Sequence, residues 1–575
     1  MKYEGAWYEL VELEGLSMET VRAHCVERHG NSAEKRFAED LPQVLGEMGR
    51  AASQAVQLVL RRVDDGVLVR EQAALMTREN RRLVYEARRA REGGPRRAEA
   101  AAEPHARLLR PDVENDLRQL LSAIDTRFAY AGWRDPAYAD RFEKAIESLP
   151  ESLETRQLAV IVQKLLSPFG DGHAGIEDLD PHLGDEFCPF LLFEDASGNV
   201  VGVDQTRTRL LDPKRPFVVA IDGVPITRWL EAARTLVTRG SPALIRHRAP
   251  RYLRWIQHFR RELGLPATDT IRVALAAAPG HPPAAAATAD LTVMVTRQKP
   301  IFGVLPREGS RLLPGDIGYL RLATMQGDEA FVVEALRRFD DFRRARALII
   351  DVRGNSGGSR ELLRRLLPLI LPPASPPRVV NISATRLLDE QDQPEDGLLA
   401  NRFLFPLRHP AWSQAEQAAL ARALRDFRAE WSPTAPPARH QQQTPTRWSD
   451  WHAMVVSPGG GPGFESPVVV LQDGGCFSAT DVFLGACKGL PNVTLIGSPS
   501  SGGSGRAFSL TLLKSGLRVR LSSMASFRPD GALYDGRGIQ PDVVMEPTFG
   551  DLIGASDTVL EAATAYLEQL LQAKP

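Results

Sequence analysis

Cysteine is scarce in this sequence. Its 575 residues include four cysteines, Cys25, Cys188, Cys476 and Cys487. So few cysteines in so long a chain do not build a disulfide framework, and their spacing does not match that of metal-ligand motifs. We therefore expect no metal ion and no other cofactor.

Net charge and long apolar runs are also missing. Lysine and arginine number 71 against 72 aspartates and glutamates, a net charge of −1, so no overall field favours nucleic acid or an anionic membrane. No run of 18 apolar residues occurs, and no transmembrane helix is therefore predicted. The first residues, MKYEGAWYELVELEGL, place acidic side chains where a signal peptide needs an apolar core, which favours a cytoplasmic location.

One stretch, residues 467–505, has the pattern of a strand, a glycine turn and a helix. A short β-branched run over 467–471 predicts a buried strand, and apolar residues at helical spacing over 478–488 predict a helix. Ser478 therefore lies at a helix start, where free N–H groups and the helix dipole favour negative charge. A nucleophilic serine needs that setting, although an N-cap is the commoner role of a serine there.

A second stretch repeats the pattern without the serine. Residues 348–352 predict another buried strand, and a helix is predicted from Glu361 onward. Between them lies RGNSGG, residues 353–358, whose glycines let backbone N–H groups approach a ligand. Together the two units suit acyl-transfer chemistry.

These motifs, in this order, resemble the S41 family of serine peptidases, which includes the tail-specific proteases and the tricorn core proteases. The matching segments are GDIGYLRL at 315–322, DVRGNSGG at 351–358, FSA at 477–479 and GIQPD at 538–542. The resemblance is strong over residues 310–550 and implies an α/β core of the crotonase/ClpP-like ββα type. It also implies that Ser478 is the nucleophile and that the N–H groups of Ala479 and of Gly357 or Gly358 hold the oxyanion. Cys476, a rival nucleophile, is expected to be a buried filler.

The general base departs from the pattern of the tail-specific proteases. Those enzymes use a lysine in a T-x-G-K-G loop, but the loop here reads SSGGS, with Gly503 in the lysine position. The tricorn-like branch uses a histidine, and His173 in the sequence GHAG matches its place. That branch also carries a glutamate before the closing strand, where this chain has Asp535. The resemblance thus implies a Ser478–His173–Asp535 triad, in which His173 and Asp535 would otherwise be exposed loop residues.

The domain organisation follows from the same motifs. Residues 1–105 predict an accessory region of amphipathic helices, over 18–28, 33–52 and 67–91, of no assigned role. Residues 106–185 predict a helical segment that carries the His173 loop, and 186–300 a small β-rich domain. The strand–Asp-Gly–strand pattern in 217–226 resembles a PDZ-like substrate-binding module, although the Arg-rich helical stretch 229–263 is not expected in a minimal one. Residues 301–575 form the protease core, with an insertion or lid at 373–465 in which His440 and His452 are expected at the surface.

Function remains open between classes at this point. The first reading is a serine endopeptidase that acts on peptides or unfolded proteins through an acyl-enzyme on Ser478. The second is a non-catalytic peptide- or ligand-binding relative, and the third, weaker, is a different acyl-transfer or hydratase activity on the same core. The expected partner is a peptide or unfolded protein substrate, and the sequence leaves a homo-oligomer open.

Overall fold

The computed structural model describes residues 2–3, 6–29, 37, 44–45, 47–50, 55–62, 66–75, 102–279, 288–306, 308–326, 328–372, 374–387, 399–431, 447–459 and 463–573. The chain divides into two compact units, Met1–Ala100 and Ala101–Pro575. No helix in the described part of the chain is both long and apolar enough to cross a membrane.

The first unit contains an antiparallel sheet and one described helix. Its elements are β1 (Lys2–Tyr3), β2 (Ala6–Leu13), β3 (Leu16–Ser17), α1 (Met18–His29), β4 (Ala55–Arg62) and β5 (Leu68–Leu75). The strand order is β1-β2-β4-β5, with β3 paired to β2. Leu13, Leu58 and Leu60 are buried together and form the centre of its small core.

The prediction that this region is helical is largely wrong. Helix α1 is present, but the helix expected over 67–91 is a strand at Leu68–Leu75. This segment pairs along its length with β4, whose sequence AVQLVLRR favours a strand, and the pairing overrides the helical propensity of LVREQAAL. Residues 76–91 and most of the helix predicted over 33–52 lie outside the described residues.

The second unit begins with a mainly helical segment. Its elements are β6 (Arg107–Leu109), α2 (Arg110–Arg127), α3 (Tyr138–Glu147), β7 (Ser152–Glu154), α4 (Thr155–Leu166), a 3₁₀ turn (Ser167–Phe169), β8 (Gly175–Ile176) and α5 (Asp180–Leu183). The three predicted helices are confirmed as α2, α3 and α4. Apolar residues of α2, at the spacing of one helix face, are buried: Val113, Leu117, Leu120 and Ile124.

A β-rich segment follows. Its elements are β9 (Phe190–Glu194), β10 (Val200–Asp204), β11 (Phe217–Ile221), β12 (Val224–Pro225), α6 (Ile226–Arg234), α7 (Pro242–Tyr252), α8 (Ile256–Glu262), β13 (Thr270–Ala276) and β14 (Thr288–Met294). The sheet is antiparallel in the order β14-β13-β11-β10-β9, and β12 pairs with β11. Asp222 and Gly223 form the predicted turn between β11 and β12, both with positive φ. The Arg-rich stretch forms α6, α7 and α8.

The remaining residues build an α/β core. Its elements are β15 (Arg311–Leu313), β16 (Ile317–Arg321), α9 (Glu329–Asp341), β17 (Ala347–Asp351), α10 (Glu361–Ile370), β18 (Arg378–Leu387), β19 (Phe405–Pro406), α11 (Gln414–Asp426), β20 (Arg447–Trp448), β21 (His452–Val456), β22 (Val468–Gln472), α12 (Ala479–Cys487), β23 (Val493–Gly497), β24 (Ala507–Thr511), β25 (Arg518–Ser522), β26 (Met524–Phe527), β27 (Val543–Val544), α13 (Phe549–Ile553) and α14 (Thr558–Ala573). The main sheet has the order β15-β16-β17-β22-β23-β27 and is parallel from β16 onward.

Helices cover both faces of this parallel sheet. Alternate residues of β17 face α9, α10 and α12 on one side and α14 on the other. The strands are therefore apolar throughout, as burial on both faces requires. Because neighbouring parallel strands end at the same edge, the glycine turn after β17 and the serine turn after β22 lie side by side.

The segment 373–465 is not a detached lid. Strand β18 is buried along almost its whole length and pairs with β21 and with β26 of the core. His452, expected at the surface, is 1% exposed because it begins β21, and its Nδ1 lies 2.8 Å from the carbonyl oxygen of Asp450. His440 lies outside the described residues.

Candidate active site

Ser478 occupies a strained backbone position between β22 and α12. Its φ is +60° and its ψ is −118°, a region that a residue with a side chain rarely adopts. Such strain costs about 1–3 kcal/mol and persists where the surrounding structure enforces it, often at functional sites. The Ser478 side chain makes no capping hydrogen bond to α12, so the simple N-cap role is wrong.

His173 reaches this serine from the helical segment. Its Nε2 atom lies 3.3 Å from Oγ of Ser478, although 305 residues separate the two in sequence. Strand β8 follows the histidine directly and pairs with β25, which fixes the loop to the core. The imidazole also packs on Phe477, with ring centroids 4.5 Å apart. The structure therefore places the predicted histidine within reach of the predicted serine.

Two buried carboxylates, rather than one, lie beside His173. Asp535 is the predicted carboxylate, and Asp171 was not predicted. Atoms of the two carboxylates and the imidazole that could bind a metal ion lie within 4.8 Å of one another. Nδ1 of His173 is 3.7 Å from Oδ1 of Asp171, a distance suited to an ion pair.

Backbone hydrogen bonds hold Asp171 in place. Its Oδ1 accepts the N–H of His173 at 2.9 Å, and its Oδ2 accepts the N–H of Ser522 at 3.1 Å. Burial alone would raise the pKa of Asp171, but the interactions with His173 and Ser522 outweigh it, and the pKa lies below its ordinary value. The only sequence signal for this residue is its place two positions before His173.

Asp535 titrates differently from its neighbour. Its Oδ2 accepts the hydroxyl of Tyr130 at 2.7 Å, and the N–H of Ser504 lies 3.2 Å from each of its oxygens. Burial and the negative charge of Asp171 raise the pKa of Asp535 to about 6, against the opposing effect of His173. Asp171 and Asp535 thus resemble a carboxylate pair in which one member carries the charge more readily.

These three residues also offer donor atoms of the kind a metal ion binds. However, both oxygens of Asp171 already accept backbone N–H groups, and Nε2 of His173 faces Ser478. The arrangement therefore suits proton transfer between side chains better than metal ligation.

The glycine turn after β17 packs directly against the nucleophile. A Cβ atom on Gly357 would lie 2.5 Å from the carbonyl oxygen of Phe477 and 2.7 Å from Cβ of Ser478, so only glycine fits. The N–H of Gly357 donates to Oδ1 of Asn355 at 3.0 Å. Among the hydrogen bonds of the described residues, the N–H groups of Gly358 and Ala479 have no acceptor, which leaves them available to an oxyanion.

A salt-bridge network braces this turn. Arg353 contacts Asp351 with its Nη2 at 2.7 Å and Asp557 of the loop before α14 with its Nη1 at 2.7 Å. The hydroxyl of Tyr319 donates to the other side of the network, at Oδ2 of Asp351. Burial would raise the pKa of Asp351, but the two arginines Arg353 and Arg321 hold it below its ordinary value. The Asp and Arg of the DVRGNSGG motif therefore position the N–H groups and do not touch the nucleophile.

No room exists for a lysine at position 503. A Cβ atom on Gly503 would lie 2.3 Å from the ring of Phe477 and 3.2 Å from Cε1 of His173. A Cβ on Gly172, where tricorn has a serine, would likewise meet Phe477 at 2.7 Å. The histidine and the phenylalanine thus fill the space around the nucleophile.

Cys476 is fully buried beneath the turn. Its Sγ donates to the carbonyl oxygen of Val352 at 3.0 Å. Burial, and the negative charge of Asp473 beside it, raise the pKa of this thiol well above its ordinary range. Cys476 is therefore an inert filler, as predicted.

Comparisons with known proteins agree with this site. The model of peptidase family S41 matches residues 316–545. A carboxy-terminal-processing protease of Bartonella bacilliformis is 31% identical over 96 residues, which span 17% of this chain and 22% of that relative. The chain therefore matches about a fifth of the length of this relative.

Solved structures share the fold over a longer range. The structure is similar to mature CPAF, with a TM-score of 0.54 and 16% identity over 80% of this chain and 96% of CPAF. CPAF in complex with lactacystin gives a TM-score of 0.53 and 16% identity over 80% of this chain and 98% of CPAF. The predicted resemblance is confirmed: the core of this chain, residues 316–545, belongs to peptidase family S41.

Proposed function

We propose that this protein is a serine peptidase that hydrolyses peptides or unfolded proteins through an acyl-enzyme on Ser478. The observation that carries the proposal is the 3.3 Å approach of His173 Nε2 to the Oγ of a strained serine. A nucleophile within hydrogen-bond reach of a base that a carboxylate orients is the arrangement of a catalytic triad.

In the first step, Oγ of Ser478 attacks the carbonyl carbon of the scissile bond while Nε2 of His173 takes the hydroxyl proton. The tetrahedral oxyanion accepts hydrogen bonds from the N–H groups of Ala479 and Gly358. We prefer Gly358 to Gly357 because the N–H of Gly357 is already bound to Asn355. Fixed donors of this kind stabilise the charge that develops in the transition state.

In the second step, the C–N bond breaks as His173 returns its proton to the leaving amine. Water then attacks the acyl-enzyme, His173 accepts a proton from it, and Ser478 leaves with that proton restored. Asp171 and Asp535 act behind the imidazole: Asp171 fixes the loop through the N–H of His173, and both carboxylates stabilise the imidazolium.

The β-rich segment 186–300 is proposed as a PDZ-like module that presents peptide to this site. Its sheet ends in the edge strands β9 and β14, and an added peptide strand at such an edge is a common mode of peptide capture. The middle of the 373–465 segment, around α11, is proposed as a gating element. A cytoplasmic location stays a prediction.

A second candidate is a non-catalytic peptide-binding protein. The observation that favours it is Nδ1 of His173, which is buried without a hydrogen bond among the described residues. In a working triad this atom donates to a carboxylate, although catalytic hydrogen bonds are often long in the absence of substrate.

A fluorophosphonate probe and an unfolded-protein substrate distinguish the two. The proposed peptidase is labelled once and hydrolyses the substrate, and Ser478→Ala abolishes both. Ser197→Ala, in an exposed turn of the β-rich segment, is the matched control and should leave both unchanged. A wild-type protein that binds peptide but takes no label would support the non-catalytic candidate.

A further inference from the structure

A row of cationic side chains on helix α7 faces the nucleophile turn. A Cβ atom on Gly475 would lie 3.2 Å from Cε1 of His247. The guanidinium of Arg248 lies 4.8 Å from the ring centroid of Phe477 and donates to the carbonyl oxygen of Gly172 at 2.8 Å. Arg251 follows one helical turn later, on the same side of the helix.

Three further contacts gather arginines around Phe302. The guanidiniums of Arg251 and Arg254 lie 4.5 and 5.5 Å from its ring centroid. Nη1 of Arg207 donates to its carbonyl oxygen at 3.0 Å. We call Arg207, His247, Arg248, Arg251 and Arg254 the arginine cluster.

The arginine cluster lacks balancing carboxylates. The charges that act on Arg251 are three guanidiniums, those of Arg207, Arg254 and Arg248, and one carboxylate, that of Asp473. Oδ1 of Asp473 is already engaged by the N–H groups of Gly354 and Gly475, at 2.8 and 2.9 Å. Burial and the neighbouring arginines lower the pKa of Arg251 to about 9. Half-buried like charges are costly unless an anion joins them.

A cavity joins the arginine cluster to the glycine turn. It is lined by Thr206, Arg207 and residues 301–305. Its wall residue Val304 abuts the turn, since a Cβ on Gly354 would lie 2.7 Å from Cγ1 of Val304. A Cβ on Gly475 would in turn lie 2.8 Å from Cα of Gly354. The side chains of Ile301 and Val304 are 78% and 43% exposed and give this path an apolar wall.

We propose that the arginine cluster and this cavity form a substrate subsite for a carboxylate of the peptide, an acidic side chain or a free C-terminus. The proposal rests on the peptidase function proposed for Ser478. Guanidinium groups bind carboxylates in bidentate geometry, and the apolar wall accommodates the stem of the residue that carries the carboxylate. The cluster lies beside Gly475 and Phe477 of the nucleophile turn, so the carboxylate is expected within a few residues of the scissile bond.

The test compares matched peptides in which one position carries glutamate or glutamine, each with a free or an amidated C-terminus. For wild type we expect kcat/KM to be about tenfold higher for the preferred carboxylate peptide, as removal of one charge-assisted contact predicts. Arg251→Gln should abolish this preference and Arg251→Lys should keep part of it. Arg246→Gln, on the same helix but paired with Glu546 at 3.9 Å, is the matched control and should keep all of it. Dependence on the glutamate or on the free terminus identifies the source of the carboxylate.

Equal kcat/KM for all four peptides in wild type, or a preference that survives Arg251→Gln, would overturn the subsite. Binding to the Ser478→Ala variant, measured by fluorescence anisotropy, separates this outcome from a failure of the proposed chemistry. Tighter binding of carboxylate peptides that Arg251→Gln removes would support the subsite even if wild type hydrolysed nothing.

Discussion

Asp171 and Asp535 share one side of His173, yet they are held in different ways. Both oxygens of Asp171 accept backbone N–H groups, whereas Asp535 accepts the Tyr130 hydroxyl and the N–H of Ser504. The pKa of Asp171 is lowered, and that of Asp535 is raised to about 6. The two carboxylates should therefore make separable contributions to the reaction.

The contribution of Asp535 should depend on pH. With a pKa of about 6, this carboxyl is neutral at pH 5 and charged at pH 8, and only the charged form stabilises an imidazolium. We expect Asp535→Asn to lower kcat by about tenfold or more at pH 8 and to have little effect at pH 5. The pH profile of kcat for wild type and variant checks this. An equal loss of kcat at both pH values would contradict the assignment.

Loss of Asp171 should be more severe. An asparagine offers one acceptor where the carboxylate offers two, so Asp171→Asn must release the N–H of His173 or that of Ser522. We expect a fall in kcat of about 100-fold or more, larger than for Asp535→Asn, with KM nearly unchanged. Fluorophosphonate labelling rates give a second measurement that does not depend on a peptide. Near-normal kcat in Asp171→Asn would show that Asp171 has only a structural role.

The strain at Ser478 predicts an unusual order of stability. At an ordinary helix start, glycine offers little advantage over alanine, but a φ of +60° favours glycine because it has no Cβ. We expect Ser478→Gly to exceed Ser478→Ala in free energy of unfolding by about 1 kcal/mol. Urea denaturation of the two inactive variants measures this difference directly. A less stable glycine variant would mean that the backbone at Ser478 is not strained.

Asp481 of helix α12 should make stability depend on pH. It is fully buried, and its carboxyl accepts the Ser500 hydroxyl and the N–H groups of Gly502 and Gly503. Burial raises its pKa to about 8, so between about pH 4 and 8 the folded state binds a proton that the unfolded state has lost. The free energy of unfolding should therefore fall, by about 1–2 kcal/mol from pH 6.5 to 8.

Asp481→Asn removes the titrating group and should flatten this slope, even if it lowers stability at every pH. Asp535→Asn is the matched control, because the lower pKa of Asp535 places its titration mainly below this window. An unchanged slope in Asp481→Asn would exclude Asp481 as its source.

The start of the second unit can be located by truncation. Strand β6 pairs with β7, Leu108 is buried, and the carbonyl oxygens of Pro104 and Ala106 accept N–H groups of α4. A chain that begins at residue 102 should fold and keep its activity on a small peptide. A chain that begins at Leu109 loses these contacts and should be less stable by about 2–3 kcal/mol. Equal thermal stability of the two truncated chains would contradict this role of β6.

The sequence predicted the parts of this protein that depend on local pattern. The strands and helices around Ser478 and the glycine turn follow from apolar periodicity, and the resemblance led to His173 and Asp535. Asp171 was missed because its role lies in bonds to the backbone of His173 and of the distant Ser522. Strand β5 was missed because helix-forming residues become a strand only when β4 pairs with them.

The pairing of β8 with β25 has a consequence for the time at which the active site is completed. His173 leaves the ribosome long before Ser478, and the strand that anchors it, Arg518–Ser522, emerges later than both. A nascent chain therefore carries the base without its nucleophile, and then both without the anchor that joins them. Peptidase activity should arise only when synthesis has passed β25, so that a growing chain cannot cut itself or its neighbours on the ribosome.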